Sequence, residues 1–531
     1  MKILKSIDAR RLSAYPQCIF LIISLSSILF AQTQRWVYRV VGSPGNSSAA
    51  KAVMYGNDGN IYAAGWSWEI GYHLKVVSLT SDGVERWVYL CPDTSAAGSP
   101  YSITEDSAGN IYVCGYIKGI GTDFVVISLD VDGNQRWIYQ YNGVGNGDDV
   151  AQAVACGPDG NVYVAGSTKG SSSGTDFTVV SLDTAGNTRW VYNYNAGYED
   201  EAKSIAFGSD STIYVAGQHN HDLVVTSFEP DSTVNWICRK YSSAGWDWLN
   251  HVITGSDGNI YAAGTYYSSA TGMNMFAIWS VTPSGSERWL RTANWDANGT
   301  NIAFSVTYGP DNNVYGSGFL YEYGTEENLA VVSATSGGAY RFTYRHQSGA
   351  NTIQDCGYSI LYGPGGNLYV AGRYEWNLIV LCLTPGGMYN WEYEYDLYND
   401  VAFSMVCGAD SHLYVSGSTG APPSYTVLSL DVSTGVSETF TQDALDNSIQ
   451  ASFYFDEVLK IRVNEMTDSK LKIMMYNSLG VLVYSENVAA TSGYIKICDL
   501  TIARLPAGIY FVRVKNVNTD QQYCFKVLKI K

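Results

Sequence analysis

Asp159-Gly160-Asn161-Val162-Tyr163-Val164-Ala165-Gly166 reads as a tight turn followed by a short strand ending on glycine, and near copies begin at Asp58, Ala108, Asp210, Asp257, Asp311, Gly365 and Asp410. The interval is about fifty residues throughout. A period of that length marks a solenoid, a propeller or an array, in which a unit that cannot bury its own apolar face is stacked on copies of itself. The composition agrees. With 53 Gly, 42 Tyr and 14 Trp in 531 residues, and only 15% charged residues, the chain suits short strands and tight turns better than helices.

Residues 149–193 serve as the type unit. Four strand-like runs, A to D, lie at Val150–Cys156, Asn161–Gly166, Phe177–Asp183 and Arg189–Tyr194, each rich in Val, Tyr, Ile or Trp and bounded by turn residues. Asp-Gly and Ala-Gly-Asn pieces between A and B and between C and D supply the positive φ of tight hairpins. Run A carries small residues (Ala151, Ala153, Ala155, Ala202, Ser204, Ala206), whereas run D carries Trp87, Trp137, Trp190, Trp236, Trp289 and Trp391, with Phe342 in the seventh copy. Small side chains belong where wedge-shaped sheets converge on an axis and bulky ones where they diverge, which predicts an all-β propeller. Run D first occurs at Arg35–Val40, before any A, B or C, and the last A-B-C set, ending at Tyr425–Asp431, lacks one. If these two segments pair, the ring closes with eight four-stranded blades. Seven blades is the alternative.

Lys2, Lys5, Arg10 and Arg11 precede the apolar run Cys18–Phe30 and the small Ala31, the order of a secretory signal over residues 1–31. The run is too short to span a bilayer comfortably, a retained anchor being the alternative, and no other segment could cross a membrane. Cleavage would move the formal charge from −17 to −20 by removing those four cations and Asp8. An acidic body of this kind argues against nucleic acid or anionic lipid as a partner and favours solubility or cation binding. From Ser452 onward the balance reverses, with eleven Lys or Arg against seven Asp or Glu. The nine cysteines beyond residue 31 are odd in number and irregular in spacing, without CxxC or a Cys/His cluster, so they read as small buried hydrophobes; Cys498 with Cys524 is the pairing to test.

The run Val179-Val180-Ser181-Leu182-Asp183-Thr184-Ala185-Gly186-Asn187-Thr188-Arg189-Trp190 resembles the repeats of bacterial SBBP-type propellers and, more distantly, the tryptophan-docking repeats of quinoprotein-like propellers, over roughly residues 35–432. That likeness implies a propeller and leaves activity open, since one fold hosts many functions. Quinoprotein dehydrogenases bring a vicinal cysteine pair over their cofactor, and no two adjacent cysteines occur here. Beyond a Ser-, Thr- and Asp-rich linker at 433–451, residues 452–531 show a strand, a Ser478-Leu479-Gly480 turn, a second strand, and Leu505-Pro506-Ala507-Gly508-Ile509-Tyr510 leading into a third. This predicts a small Ig-like β-sandwich. Met475–Val483, Asp499–Val514 and Lys526–Lys531 resemble the elements of the C-terminal sorting domain of type IX secretion, although the usual Pro-Asn-Pro entry is missing. The resemblance implies the type IX secretion machinery as partner and passage through the periplasm and outer membrane to the cell surface or medium.

No nucleophile elbow, zinc-protease helix motif, phosphate loop or dinucleotide fingerprint stands in a supporting context. His219 and His221 could share a metal but lack a third placed ligand, so no metal is expected. Asp130-Val131-Asp132-Gly133-Asn134 superficially resembles a calcium loop; without the later Glu it reads as a hairpin turn, and neither calcium nor a quinone is supported as cofactor. Strand parity puts the D-to-A and B-to-C loops on one face. Asp149, Asp200, Asp247, Asp355 and Asp400, with Asn301 at the equivalent place, would ring the channel mouth there, or else bond backbone amides. The same face collects Trp66, Trp68, Tyr266, Tyr267, Trp295 and Trp376, with Trp246 beside Asp247. Aromatic side chains in polar loops suit stacking on sugars or anchoring a partner. The expected protein is an exported, monomeric binding protein for carbohydrate, peptide or a surface partner. The alternatives are an extracellular polysaccharide lyase or hydrolase using paired acids, a quinoprotein-like oxidoreductase, or an envelope scaffold.

Overall fold

Each repeat becomes one antiparallel sheet with its strands in chain order. In the type unit these are Val150–Cys156, Val162–Lys169, Thr175–Leu182 and Thr188–Tyr194. The computed structural model describes residues 33–432, apart from short stretches in the D-to-A and B-to-C loops, and strands lying between residues 449 and 529. The expected signal at 1–31 and Cys498 lie outside the described residues. The chain divides into two compact units, Met1–Thr439 and Phe440–Lys531.

The first unit is an eight-bladed propeller. The A strands of successive blades contact one another all the way round, and Ala49–Tyr55 of blade 1 meets Val401–Cys407 of blade 8. They therefore surround the axis, as the small residues of run A predict. The ring is closed by the expected pairing: Thr33–Val40 lies antiparallel on Ser424–Asp431, with Val37 opposite Leu428 and Val40 opposite Tyr425. Both faces of the B and C strands are covered, so these strands are almost continuously buried.

Adjacent blades are joined by the strand D tryptophans. Trp87 Nε1 donates to the Val131 carbonyl in the next blade at 2.9 Å, Trp137 to Thr184 at 3.0 Å, and Trp190 to Pro230 at 2.9 Å. Trp36 repeats the contact across the closure, donating to the Ser81 carbonyl at 2.8 Å. The indole lies flat on the C-to-D turn of its neighbour. At Gly186, whose φ is +84°, a Cβ would come within 2.6 Å of the Trp137 ring, so glycine is required there both for the turn and for the indole. Phe342 occupies the same place on Gly387 but has no N–H to donate.

Every A strand carries a β-bulge. Register shifts between Ala151 and Ala153, and at the corresponding places in all eight blades, leave one unpaired residue per blade: Lys51, Tyr101, Gln152, Lys203, Asn250, Phe304, Tyr358 and Phe403. A bulge re-aims a side chain and increases local twist. Here it inserts a larger side chain into strands otherwise lined by small ones.

The second unit contains a three-stranded sheet of Ile449–Ala451, Leu459–Val463 and Gly493–Ile497. Its second sheet has five strands, in the order Tyr454–Phe455, Gln522–Lys529, Gly508–Asn516, Ser469–Asn477 and Leu482–Ala490. Strand Ile449–Ala451 falls in the segment expected to be linker, and its pairing with Leu459–Val463 extends the sheet before Ser452. In the first unit, Cys91, Cys114, Cys356 and Cys382 are buried and are not joined in disulfides, as small hydrophobes in strands should be.

The tryptophan contact separates into packing and hydrogen-bond parts. Trp137→Phe should cost about 1 kcal/mol, the net value of one hydrogen bond. Trp137→Ala should cost about 3 kcal/mol through the cavity it leaves. Denaturant unfolding of both variants checks the order, and equal losses would contradict the inter-blade role.

Candidate functional site

The two faces of the ring have different chemistry. On the face of the A-to-B and C-to-D turns, polar groups are bonded to one another in a repeated chain. Tyr163 Oη donates to Asp159 at 2.6 Å, Asn161 Nδ2 donates to the same carboxylate at 2.6 Å, and Arg189 donates to Tyr163 Oη and Ser181 Oγ, both at 2.9 Å. The pattern recurs around Asp58, Asp257 and Asp311. Burial pushes the Asp159 carboxyl up, but bonds from Tyr163 and Asn161 outweigh it and hold the group below its usual range. The Asp130 turn is closed by its own bonds, accepting from the Asp132 and Asn134 amides at 3.0 and 2.8 Å, and is a hairpin turn.

On the opposite face the acids expected at the channel mouth occupy equivalent positions, but they are turned into the loops. Asp149, Asp200, Asp247, Asn301, Asp355 and Asp400 are fully buried. Each places Oδ1 on the backbone N–H twenty residues ahead: Lys169 at 2.5 Å, Asn220 at 2.8 Å, Tyr267 at 2.5 Å, Tyr321 at 2.9 Å, Glu375 at 2.8 Å and Gly420 at 2.5 Å. The main-chain N–H of the same residue donates to the preceding blade in several cases, as from Asp149 to the Thr122 carbonyl at 2.7 Å and from Asp400 to the Trp376 carbonyl at 2.6 Å. These side chains thus tie a B-to-C loop to its own blade and that blade to its neighbour. Desolvation raises the carboxyls of Asp149 and Asp400 and pushes Asp247 up to about 6. Asn301 makes the same bond without a charge.

The predicted aromatic residues are spread over several blades. Trp66 and Trp68 lie on strand Ile61–Trp68 of blade 1, with Trp68 edge-on to Tyr72 at 4.7 Å. Trp246, Trp295 and Trp376 are 57%, 53% and 41% exposed on loops of other blades. Two are engaged by cations: the Arg345 guanidinium lies 3.6 Å from the Trp295 ring centre and Arg373 lies 5.3 Å from that of Trp376. Trp246 stacks on His221 at 4.4 Å. His219 is buried between Tyr194 and Phe177, and burial pulls its imidazole down to about 3. The two histidines therefore point into separate aromatic contacts. Among the described residues, no group of three or more His, Cys, Asp or Glu is placed to hold a metal ion.

An aromatic cluster surrounds open space between blades 1 and 2. A cleft of about 450 Å³ is lined by Ser47, Lys51, Trp66, Tyr72, Ser99, Tyr101 and Tyr116, with Gly98 between them. Tyr101 and Tyr116 are tilted rings 6.0 Å apart. Lys51 and Tyr101 are the bulge residues of their blades, and the bulge series continues into an aromatic arc, with Phe304 to Tyr358 at 5.2 Å and Tyr358 to Phe403 at 6.0 Å. Sequence reading singled out Trp66 but missed Lys51, Tyr72, Tyr101 and Tyr116. The available signal was a bulky third residue in the small-residue A strands.

Comparison with known proteins bears on the two units differently. Residues 455–528 match the family described as the secretion system C-terminal sorting domain. The regulatory protein FlaEY of Caulobacter vibrioides is 35% identical over 85 residues, or 13% of this chain and 9% of that protein. The chain therefore spans under a tenth of that curated relative's length. Among solved structures, a quinohaemoprotein alcohol dehydrogenase from Pseudomonas putida HK5 is similar at 12% identity and TM-score 0.47, covering 78% of each chain. A europium-containing methanol dehydrogenase is similar at 10% identity and TM-score 0.48, covering 76% of this chain and 93% of its own. A protein of unknown function from Bacteroides caccae is similar at 13% identity and TM-score 0.32, covering 54% of this chain and 93% of its own. Likenesses at these values say nothing of activity or cofactor. The C-terminal unit is a type IX sorting domain, and it directs the propeller to the cell surface or the medium.

Two predictions arise here. Asp247→Ala should lose about 1–3 kcal/mol by leaving the Tyr267 amide unpaired, whereas Asp247→Asn should fold normally, as Asn301 does in its own blade. Because the Asp247 carboxyl is raised in the folded state, the protonated form is favoured there, and stability falls as pH rises from about 4 through about 6. Melting curves from pH 4 to 8 should show Asp247→Asn gaining on the native protein across that window and not below it. Deleting Ser452–Lys531 should leave a folded propeller retained in the periplasm. Cell fractionation checks this, and surface delivery of the truncated chain would contradict the sorting role.

Proposed function

We propose that this exported propeller is a non-enzymatic binding protein that takes a carbohydrate on the face of its D-to-A and B-to-C loops, at the cleft between blades 1 and 2. The observation that carries the reading is the cleft wall of Trp66, Tyr72, Tyr101 and Tyr116, with hydroxyls of Ser47 and Ser99 beside them. Flat rings interleaved with hydroxyl groups complement a sugar, whose C–H face is apolar and whose edge is polar. The opposite face offers much less, because its Asp, Tyr and Arg side chains bond to one another blade by blade. A lyase or hydrolase would need opposed carboxyls within reach of one scissile bond. The acids expected in that role bond their own loops, which favours binding over turnover.

Alanine at Trp66 and Tyr101 should weaken glycan-array binding at least tenfold, the scale expected of aromatic anchors. Alanine at the dispersed Trp246 and Trp295 should leave binding within about twofold, as non-anchor contacts do. Loss of binding in the second pair but not the first would move the site off the cleft, and capture of peptides but no glycan would replace the ligand class.

A further inference from the structure

Of the eight bulge residues at the channel, two are cations, Lys51 and Lys203. The Lys203 ammonium is paired with the Glu201 carboxylate. Lys51 is not paired in this way: among the described residues, no carboxylate lies within 4.0 Å of its Nζ. That atom instead sits 3.4 Å from the centre of the Phe403 ring and 5.2 Å from that of Trp66, on the wall of the cleft. Among the described residues the remaining lining is Ser47, Tyr72, Gly98, Ser99, Tyr101 and Tyr116, none of them acidic. A desolvated ammonium held by ring faces keeps an unneutralised charge, and the aromatic contacts compensate only in part for the lost water.

We propose that the cleft binds a saccharide bearing a carboxylate, a hexuronic acid unit, with the sugar face on the aromatic wall and the carboxylate on Lys51 Nζ. This inference rests on the carbohydrate reading of the same site and names the substrate class. A single ammonium matches a monoanion; phosphate and sulfate groups are more often gripped by guanidinium forks or several amides together. Peptide capture by strand addition would need an unpaired sheet edge near the cleft, but strands Ala49–Tyr55 and Ser99–Glu105 sit at the crowded axis against neighbouring blades. The strong acidity of the whole chain, −17, disfavours long polyanions and suits a short or chain-end unit.

Burial lowers the Lys51 ammonium to about 8, so it is protonated at neutral pH. A bound carboxylate favours the charged form and raises that value. Affinity for the acid should therefore be level below pH 8 and fall as pH rises beyond it, by up to about tenfold per pH unit. Among the described residues, the other titratable groups facing the cleft are the phenols of Tyr72, Tyr101 and Tyr116, while blade 8 presents Phe403. Burial raises the Tyr101 phenol further.

The experiment is calorimetric titration of the full chain with trigalacturonate, its methyl ester, galactotriose, and a tyrosine-ended peptide with a free carboxylate. At pH 6.5 the acid should bind about tenfold or more tightly than the ester, the usual scale for a charge-assisted bond. Lys51→Gln should abolish that preference, and the native protein should lose it by pH 9.5. Lys51→Arg should retain it at pH 9.5, because a guanidinium stays charged. Equal binding of acid and ester, or a preference that survives in Lys51→Gln, would overturn the carboxylate assignment while leaving the carbohydrate reading intact. Binding of the peptide alone would overturn both. Should Lys51→Gln fail to fold, the acid-to-ester ratio of the native protein and its pH course still decide.

Discussion

The propeller depends on one strand pairing, Thr33–Val40 against Ser424–Asp431. An eight-sheet ring has no hydrophobic centre to hold it; each blade is stabilised by its two neighbours, so an opening between any two would expose apolar sheet faces on both sides. Supplying the outer strand of the last blade from the start of the chain makes the joint a sheet ladder. The side chains reproduce the other blades. Arg35 reaches Tyr414 Oη and Ser429 Oγ at 3.3 and 3.2 Å, as Arg189 reaches Tyr163 and Ser181, and Trp36 docks on blade 1 as Trp137 docks on blade 3. The closing blade therefore has the same internal bonds as a continuous one.

The ring also explains the division between faces. Tight turns between A and B and between C and D must present positive-φ residues and satisfy their own backbones, and Asp-Gly-Asn achieves this by bonding within the turn. Tyrosine and arginine extend those bonds into the blade. The D-to-A and B-to-C loops are longer and need another device, a buried Asp or Asn on an amide twenty residues ahead. Holding a loop from beneath leaves its outer side chains free to vary, as aromatic residues do here from blade to blade.

Much of the architecture was legible because it is periodic. The Asp159-Gly160-Asn161 turn, the strand D tryptophans and the displaced Arg35–Val40 run are each defined against seven other copies, and their roles follow from strand parity and residue size. The sorting unit was legible for a different reason, its turn and strand motifs being read against a family. Where the acids point was not legible. A recurrent Asp before strand A is equally compatible with a mouth ring and a loop clamp, and only the position of the amide twenty residues ahead distinguishes them. The cleft was hidden too. Its walls come from different strands of two blades, and the bulge that turns Lys51 and Tyr101 toward it has no marker within a single strand beyond a bulky residue among small ones.

Periodicity also separates architecture from function within the site itself. A residue type found at the same place in nearly every blade answers a demand that every blade makes, such as closing a turn, docking a neighbour or holding a loop. Asp149 and its equivalents belong to that class, which is why they are buried and why Asn301 can replace one of them. The bulge position behaves in the opposite way. Its geometry is the same in eight blades, while its occupants run from Lys to Gln, Asn, Tyr and Phe, so the backbone there accepts almost any side chain and the choice answers to something beyond the fold. At that position Lys203 is paired with the Glu201 carboxylate, whereas Lys51 has no such partner among the described residues. A charge held against aromatic rings at the edge of open space is better explained by what enters the cleft than by the stability of the ring.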